Sequence, residues 1–184
     1  QRQMCIRDSV ITTNVDHQFQ LAGFDKTRLF YTQGDYGLFQ CSRNCSNKTY
    51  DNEEQIRQMV AEQKGMNIPE SLLPKCPGCG APLVPNLRVD GSFCEDAGWH
   101  AACDRYQNFR EEHESGKVFY LELGVGNNTP AIIKYPFWDA VKSNSEATYA
   151  CVNRGEACSP RAIADRSILI DGDIGTIISA SLHR

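Results

Sequence analysis

The stretch Lys75-Cys76-Pro77-Gly78-Cys79-Gly80, with Cys41-Ser42-Arg43-Asn44-Cys45 upstream, decides how the middle of this chain folds. Zinc binds four thiolates tetrahedrally at about 2.3 Å, so each cysteine pair has to turn back on itself around the ion. Pro77 and Gly78 are typical of such a turn. The two pairs therefore predict a structural Zn²⁺ site formed by Cys41, Cys45, Cys76 and Cys79; the alternative is a set of unrelated buried thiols.

The composition excludes several functional classes. The chain has 184 residues and a net charge of −4, with Lys and Arg scattered along it. A protein that follows phosphates usually carries a basic stripe, so we expect no nucleic-acid partner. No stretch approaches the roughly 20 apolar residues of a membrane span, so we expect no membrane partner. A small molecule or a protein is the expected partner.

The nine cysteines are an odd number, and no secretory leader is recognisable. A disulfide framework is therefore not expected, and the pattern favours reduced thiols in a cytoplasmic protein. Four cysteines outside the two pairs lack knuckle spacing and are interpreted as free thiols: Cys94, Cys103, Cys151 and Cys158. Residues 1–9 show neither periodicity nor a helix cap, and we interpret them, with Cys5, as a non-native or ragged start.

Strand patterns alternate with helical patterns from Val10 onward, which predicts an α/β fold with a mainly parallel, Rossmann-like sheet, helices on both faces and a small inserted zinc-binding lobe at about 38–85. Gln33 to Gly37, with two glycines, is predicted to be a loop. The predicted strands are 10–13, 29–31, 118–123, 148–152 and 167–170, and the predicted helices lie around Phe19, at 52–64, at 99–113 and after Asp173.

Polar or glycine-rich turns follow several of these strands. The carboxyl ends of parallel strands meet at one edge of a sheet, where ligands bind. Taken singly, each residue is also an ordinary cap or turn residue. Together they predict a ligand site. The residues expected there are Asn14, Asp16, Gly124, Asn128, Asn153 and Asp173.

These motifs resemble those of the sirtuins, NAD-consuming enzymes with a Rossmann-like domain and a zinc lobe. Ile11-Thr12-Thr13-Asn14-Val15-Asp16 is similar to the T-x-N-x-D motif of that family, and the four paired cysteines are similar to its zinc ligands. Asn86 to Asp96 resembles the cofactor-loop region. The resemblance implies NAD as co-substrate, contacted by Thr12, Asn14, Asp16, Gly124, Gly126, Asn128, Asn153, Asp173 and Ile174.

Gln33 is the main departure from the ordinary sirtuin pattern, which has His-Gly at this point. The resemblance implies that the family histidine takes a proton from the nicotinamide ribose. An amide does not titrate near neutrality, so Gln33 cannot act as that base. The stretch Gln33-Gly34-Asp35-Tyr36-Gly37 is instead similar to the class M sirtuins, which are protein ADP-ribosyltransferases.

The resemblance to class M implies transfer of ADP-ribose from NAD to a protein acceptor, a lipoylated carrier related to the glycine-cleavage H protein, often beside a macrodomain protein that removes the mark. The catalytic residues it implies are Asn14, Asp16 and Gln33. Asp16 has a simpler alternative role as a helix cap. His17 is interpreted as a surface or cap residue.

Two other functions remain open on the sequence alone, an NAD-dependent lysine deacylase and a non-catalytic zinc module that binds a protein. The glycine-rich turn that would cradle the NAD pyrophosphate is absent before Val10. We therefore expect 10–184 to be the C-terminal portion of a longer catalytic domain.

Overall fold

A computed structural model describes residues 8–182, and the side chains up to Ala180. The first seven residues of the predicted non-native segment 1–9, including Cys5, lie outside this range. The chain divides into two compact units, one ending at Gln107 and the other beginning at Asn108. Each unit is a mixture of strands and helices, and each contains parallel strands, which confirms the predicted α/β class.

The first unit begins with a pair of parallel strands. β1 (Val10–Thr12) pairs with β2 (Leu29–Tyr31), so that Val10 lies opposite Leu29 and Thr12 opposite Tyr31. A short helix, α1 (Gln18–Leu21), and a 3-10 turn connect the two strands. The sequence predicted a strand, a polar loop, a helical turn and a second strand in this order, and the structure confirms it.

An antiparallel sheet follows, with β3 (Gly34–Cys41) between β4 (Thr49–Asp51) and β5 (Leu83–Leu87). The predicted loop from Gln33 to Gly37 is wrong, because β3 already begins at Gly34. Glycine disfavours strands by itself, but β5 pairs with Gly34 and Asp35 and supplies the backbone hydrogen bonds. The tertiary contact therefore outweighs the local preference.

Two helices of the first part of the chain match their sequence patterns. α2 (Glu53–Glu62) buries Met59, one of the apolar residues that predicted it. α3 (Ala97–Glu112) buries Ala102, and the Phe30 ring contacts Trp99 edge-on with the ring centroids 5.2 Å apart. Both predicted helices are therefore confirmed to within two residues at each end.

The second unit is built on three parallel strands in the order β6 (Phe119–Leu123), β7 (Thr148–Asn153) and β8 (Ser167–Asp171). α4 (Lys134–Ser143) precedes β7, and α5 (Ile174–Leu182) follows β8. The core of this unit is a cluster of buried side chains from α4, from β7 and the residue just before it, and from the 3-10 helix before β8: Val141, Ala147, Tyr149, Cys151 and Ile163.

Among the described residues, no helix is both long enough and apolar enough to cross a membrane.

Candidate functional site

Three predicted catalytic residues follow the carboxyl ends of β1 and β2. The backbone N–H of Thr32 donates to the Thr12 carbonyl at 3.0 Å, which continues the strand pairing into the turns. Asn14 and Asp16 lie in the turn after β1, and Gln33 lies in the turn after β2. The register of the parallel pair thus brings both turns to the same edge of this two-stranded sheet.

Asp16 and Asn14 are exposed, and the turn that carries them is held by local hydrogen bonds. The Gln18 N–H donates to Asp16 Oδ1 at 3.1 Å, and the Asn14 N–H donates to Thr12 Oγ1 at 3.0 Å. Asp16 therefore closes a local turn just before α1, whose N-cap residue is His17 and has no side-chain capping hydrogen bond. Because this contact uses only one carboxylate oxygen, the other can still face a ligand.

Gln33 is half-buried, and its backbone is fixed from the other side of the turn. The Arg88 N–H donates to the Gln33 carbonyl at 3.0 Å. The Arg88 guanidinium lies 4.2 Å from the centre of the Phe93 ring and 2.5 Å from Glu95 Oε1. The segment resembling a cofactor loop is thus adjacent to the Gln33 turn.

A buried polar network connects that segment to β3. Gln40 Oε1 accepts from Asn86 Nδ2 at 2.7 Å and from the Cys94 N–H at 2.9 Å, while Gln40 Nε2 donates to the Ser92 carbonyl at 3.0 Å. Gln40 and Asn86 are each 2% exposed. Since buried amides are costly unless they are hydrogen-bonded, this network specifies a single path for residues 86–94.

His17 and Asp35 form a pair that was not predicted from the sequence. His17 Nδ1 lies 2.7 and 2.9 Å from the two carboxylate oxygens of Asp35. The Asp35 side chain is 5% exposed and the His17 side chain 33% exposed. The signal available in the sequence was a histidine next to Asp16 and an aspartate two residues after Gln33, but no periodicity relates the two positions.

The second unit gathers its predicted ligand residues at the carboxyl ends of β6, β7 and β8. The Gly124 N–H donates to the Val152 carbonyl at 3.0 Å, and Asn153 Nδ2 donates to the Val125 carbonyl at 3.0 Å. Gly124 has a φ of 67°, and a Cβ there would lie 3.0 Å from Ile174 Cδ1. The three strand ends therefore form one connected edge.

Asp173 begins α5 at that edge. Its Oδ1 accepts from the Thr176 N–H at 2.9 Å and from Thr176 Oγ1 at 3.0 Å. These hydrogen bonds favour the carboxylate and lower the pKa of Asp173 below its ordinary value. Gly126 is half-exposed in the turn after β6, and Asn128 is exposed there.

The predicted cofactor residues are therefore divided between two groups. Thr12, Asn14 and Asp16 belong to the unit that ends at Gln107, and the others belong to the unit that begins at Asn108. Each group lies at the carboxyl ends of the parallel strands of its own unit.

The four paired cysteines form a cluster in which all sulfur atoms lie within 4.8 Å of one another. Cys41 Sγ is 3.6 Å from Cys79 Sγ, and Cys45 Sγ is 3.5 Å from Cys76 Sγ. A tetrahedral zinc with Zn–S bonds of about 2.3 Å implies sulfur–sulfur separations of about 3.8 Å. The cluster therefore fits Zn²⁺ in its number of ligands, their chemistry and their spacing.

The turns of the two knuckles differ in one detail from the prediction. Gly80, with a φ of 71°, has the left-handed conformation in the second knuckle, and Asn44, with a φ of 44°, has it in the first; Gly78 does not. The Gly80 N–H donates to the Cys76 carbonyl at 2.8 Å, and the Asn44 N–H donates to the Cys41 carbonyl at 2.8 Å. Each knuckle is therefore closed by an asparagine or a glycine, the residue types that adopt positive φ most readily.

The electrostatics of the cluster also suit a cation. Backbone N–H groups of Cys45 and Arg43 point at the Cys41 sulfur and lower the pKa of Cys41 to about 6. The neighbouring thiols of Cys79, Cys76 and Cys41 raise the pKa of Cys45 to about 12. Four thiolates so close together repel one another, so they can all be ionised only around a positive ion.

Comparison with known sequences gives two curated relatives, and no family model matches the chain. The chain is 41% identical over 175 residues, 95% of its length, to a Staphylococcus aureus protein named protein ADP-ribosyltransferase. It is 31% identical over 189 aligned positions, again 95% of its length, to a Fusarium oxysporum protein named probable bifunctional ADP-ribose hydrolase/ADP-ribosyltransferase. The chain spans 56% and 31% of the lengths of these two relatives.

Proposed function

We propose that this chain is part of an NAD-dependent protein ADP-ribosyltransferase of the sirtuin type, class M. Such an enzyme releases nicotinamide as it transfers ADP-ribose to a protein acceptor. One observation carries the proposal: 41% identity over 95% of the chain to a protein named protein ADP-ribosyltransferase. The site chemistry supports it, because Gln33 occupies the position at which a deacylase of this type would need a titratable base.

The reaction breaks the bond between nicotinamide and ribose, which develops positive charge on the ribose. Such a transition state is stabilised mainly by fixed charges and dipoles, and by orientation of the reactants. In this proposal, Asp16 supplies the negative charge or orients the nucleophile, Asn14 hydrogen-bonds the ribose or a water, and Gln33 positions the substrate. Their place at the ends of paired parallel strands supports these roles.

The remaining contacts to NAD are proposed to come from the predicted ligand residues of the unit that begins at Asn108. Asn153 would hold the adenosine ribose, and the glycine turn after β6 would allow the backbone to approach the ligand closely. Thr12 is also proposed to contact NAD, beside the catalytic residues, and its hydroxyl accepts a hydrogen bond from the Asn14 N–H. The full set proposed to contact NAD is Thr12, Asn14, Asp16, Gly124, Gly126, Asn128, Asn153, Asp173 and Ile174.

Zn²⁺ held by Cys41, Cys45, Cys76 and Cys79 would have a structural role. All four thiolates are used in the cluster, so a tetrahedral ion would keep no open position for substrate.

The proposed acceptor is a lipoylated carrier protein related to the glycine-cleavage H protein, and a macrodomain protein is the proposed partner that removes the mark. The name of the Fusarium relative, which combines ADP-ribose hydrolase with ADP-ribosyltransferase, supports a link between the two activities. The proposed location is the cytoplasm, since free cysteines such as Cys94 and Cys151 persist best in a reducing compartment.

The test is transfer of labelled ADP-ribose by the full-length protein, with a lipoylated carrier and an acyl-lysine peptide offered separately. We expect label on the carrier, and we expect Asp16→Asn to reduce labelling at least about 100-fold because a charge in the transition state is lost. Release of the acyl group without protein labelling would contradict the proposal and identify a deacylase.

Asp25→Asn is the matched control. Asp25 accepts from the Thr27 N–H, two residues further on, at 2.9 Å, and this is the same local contact that Asp16 makes with the Gln18 N–H. Asparagine can replace aspartate as a cap with little loss of stability. If Asp16 served only to hold its turn through the Gln18 N–H, both Asp16→Asn and Asp25→Asn would retain full transfer.

A further inference from the structure

His17 and Asp35 form a pair whose geometry leaves one imidazole nitrogen available. Asp35 can only accept hydrogen bonds as a carboxylate, so His17 Nδ1 carries the proton between them at 2.7 Å. Nε2 is then the nitrogen with the free lone pair, and the side chain is one-third exposed. An imidazole oriented in this way is suited to accept a proton from a ligand.

Asp35 is itself held firmly. Gln20 Nε2 donates to Asp35 Oδ2 at 2.7 Å, and the Gly37 N–H donates to Asp35 Oδ1 at 2.7 Å. The residue is 3% exposed, so this carboxylate is a buried anion that needs these donors. Its charge also reaches Tyr31, where burial first and Asp35 second raise the pKa of the phenol. The carboxylate therefore serves as a fixed support for the ring.

The backbone around His17 is also unusual. His17 has a φ of 60° and a ψ of 8°, a left-handed conformation that costs a non-glycine residue free energy. Across from it, a Cβ on Gly37 would lie 2.7 Å from His17 Nδ1, so glycine is required for the ring to reach Asp35. The left-handed turn and the glycine together allow the imidazole to lie against Asp35.

The pair lies in the turn that carries the proposed catalytic residues. His17 follows Asp16 directly, and the Tyr36 N–H donates to the Val15 carbonyl at 2.8 Å, which joins this turn to β3. Gln33 precedes β3 by one residue. Asp16 and Gln33 thus lie on the two chain segments that this hydrogen bond joins: Asp16 directly precedes His17, and Gln33 lies two residues before Asp35.

We propose that His17 is the general base that deprotonates the acceptor nucleophile, with Asp35 as its positioning residue; this inference rests on the proposed transferase function. The acceptor X–H gives its proton to His17 Nε2, and the X–C1 bond to the ribose forms as the bond from C1 to nicotinamide breaks. Nicotinamide leaves with the bonding electron pair as a neutral molecule. The proton then passes from the imidazolium to water.

Two substitutions separate this role from a purely structural one. His17→Asn keeps an amide N–H close to the position of Nδ1, so it can still bind Asp35, but it lacks Nε2. His17→Gly removes the ring and leaves space for free imidazole. Both residues tolerate left-handed φ, so the turn is expected to be retained. His113→Asn is the matched control, because His113 Nδ1 lies 2.7 Å from the Phe109 carbonyl, a contact that an asparagine amide can also make.

The experiment measures carrier labelling and NAD binding in the full-length protein and these three variants. We expect His17→Asn and His17→Gly to lose at least about 100-fold in the transfer rate, with unchanged NAD affinity, and His113→Asn to match the unsubstituted protein. Added imidazole should restore transfer in His17→Gly and have no effect on His17→Asn.

Full transfer by His17→Asn, or failure of imidazole to restore His17→Gly, would overturn the role of His17 while leaving the transferase function in place. If the unsubstituted protein labels no carrier, the proposed function fails and this inference fails with it.

Discussion

At the scale of single residues, the first position of β3, Gly34, does not tolerate a side chain. Its φ is 101°, and a Cβ at this position would lie 2.0 Å from the Asn86 carbonyl oxygen. Neither the backbone angle nor the contact can be relieved by a side-chain rotation. We expect Gly34→Ala to lower the free energy of unfolding by about 3 kcal/mol or more, measured by urea denaturation.

Gly91→Ala provides the control for this prediction. Gly91 does not have a positive φ, and a Cβ there would meet nothing within 4 Å. Its substitution should change the unfolding free energy by no more than about 0.5 kcal/mol. Equal effects of the two substitutions would show that the close approach at Gly34 does not contribute to stability.

Single residues also mark the limit of prediction from sequence. The four cysteines were predictable because zinc requires a fixed number of ligands at close spacing, and they do form one cluster. The pair of His17 with Asp35 was not predictable, because Asp35 lies 18 residues away and the ring reaches it only where a glycine stands at position 37. A pair made by tertiary contact carries no local pattern in the sequence.

At the scale of elements, a buried ion pair joins β6 to α4. Lys134 Nζ lies 2.6 Å from Glu122 Oε1, Tyr149 donates to Glu122 Oε2 at 2.6 Å, and both charged side chains are fully buried. Burial alone lowers the pKa of Lys134, but the Glu122 carboxylate raises it above its ordinary value. Burial, together with Glu122, raises the pKa of Tyr149.

Glu122→Gln should therefore destabilise the second unit strongly. It removes the only charge that this structure places within hydrogen-bonding distance of Lys134 among the described residues, and an unpaired buried charge costs about 3–5 kcal/mol. The measurement is the free energy of unfolding from urea denaturation. Glu53→Gln is the control, since the Glu53–Arg57 pair on α2 is exposed and should contribute less than about 1 kcal/mol.

The double substitution Glu122→Leu with Lys134→Met removes both charges. We expect it to be more stable than Glu122→Gln alone, because no charge is left unpaired. A double variant less stable than the single one would indicate that packing around Tyr149, and not the ion pair, determines stability here.

Whole elements were predicted better than their pairing. The apolar runs of β6, β7 and β8 and the 3.6-residue spacing of α2 and α3 are local signals, and each element was predicted to within two residues. The strand at Gly34 was not predicted, because its two glycines indicate a loop and only pairing with β5 makes it a strand. Local pattern therefore identifies elements whose apolar residues follow a regular run or spacing in the sequence, but not those formed by pairing with a distant strand.

At the scale of the whole molecule, two units each use the carboxyl ends of parallel strands to gather polar residues, and the cysteine cluster belongs to the first of them. Among the described residues, the small core around Cys41, Cys76 and Ala81 has only Leu83 packed against it as a partly buried neighbour. So small a core cannot offset the entropy of ordering two knuckles, and the metal would supply the missing free energy.

Removal of the proposed Zn²⁺ should therefore unfold the sheet of β3, β4 and β5 and leave β6, β7 and β8 folded. Hydrogen exchange read by mass spectrometry, with and without a chelator, measures this strand by strand. We expect amide exchange at least about tenfold faster in the first sheet, which corresponds to about 1.4 kcal/mol, and no change in the second. Cys76→Ser should reproduce the effect of the chelator, whereas Cys103→Ser, at a half-exposed thiol outside the cluster, should not. If the chelator changed exchange equally in both sheets, the units would unfold as one, and the metal would stabilise the whole molecule and not the first unit alone.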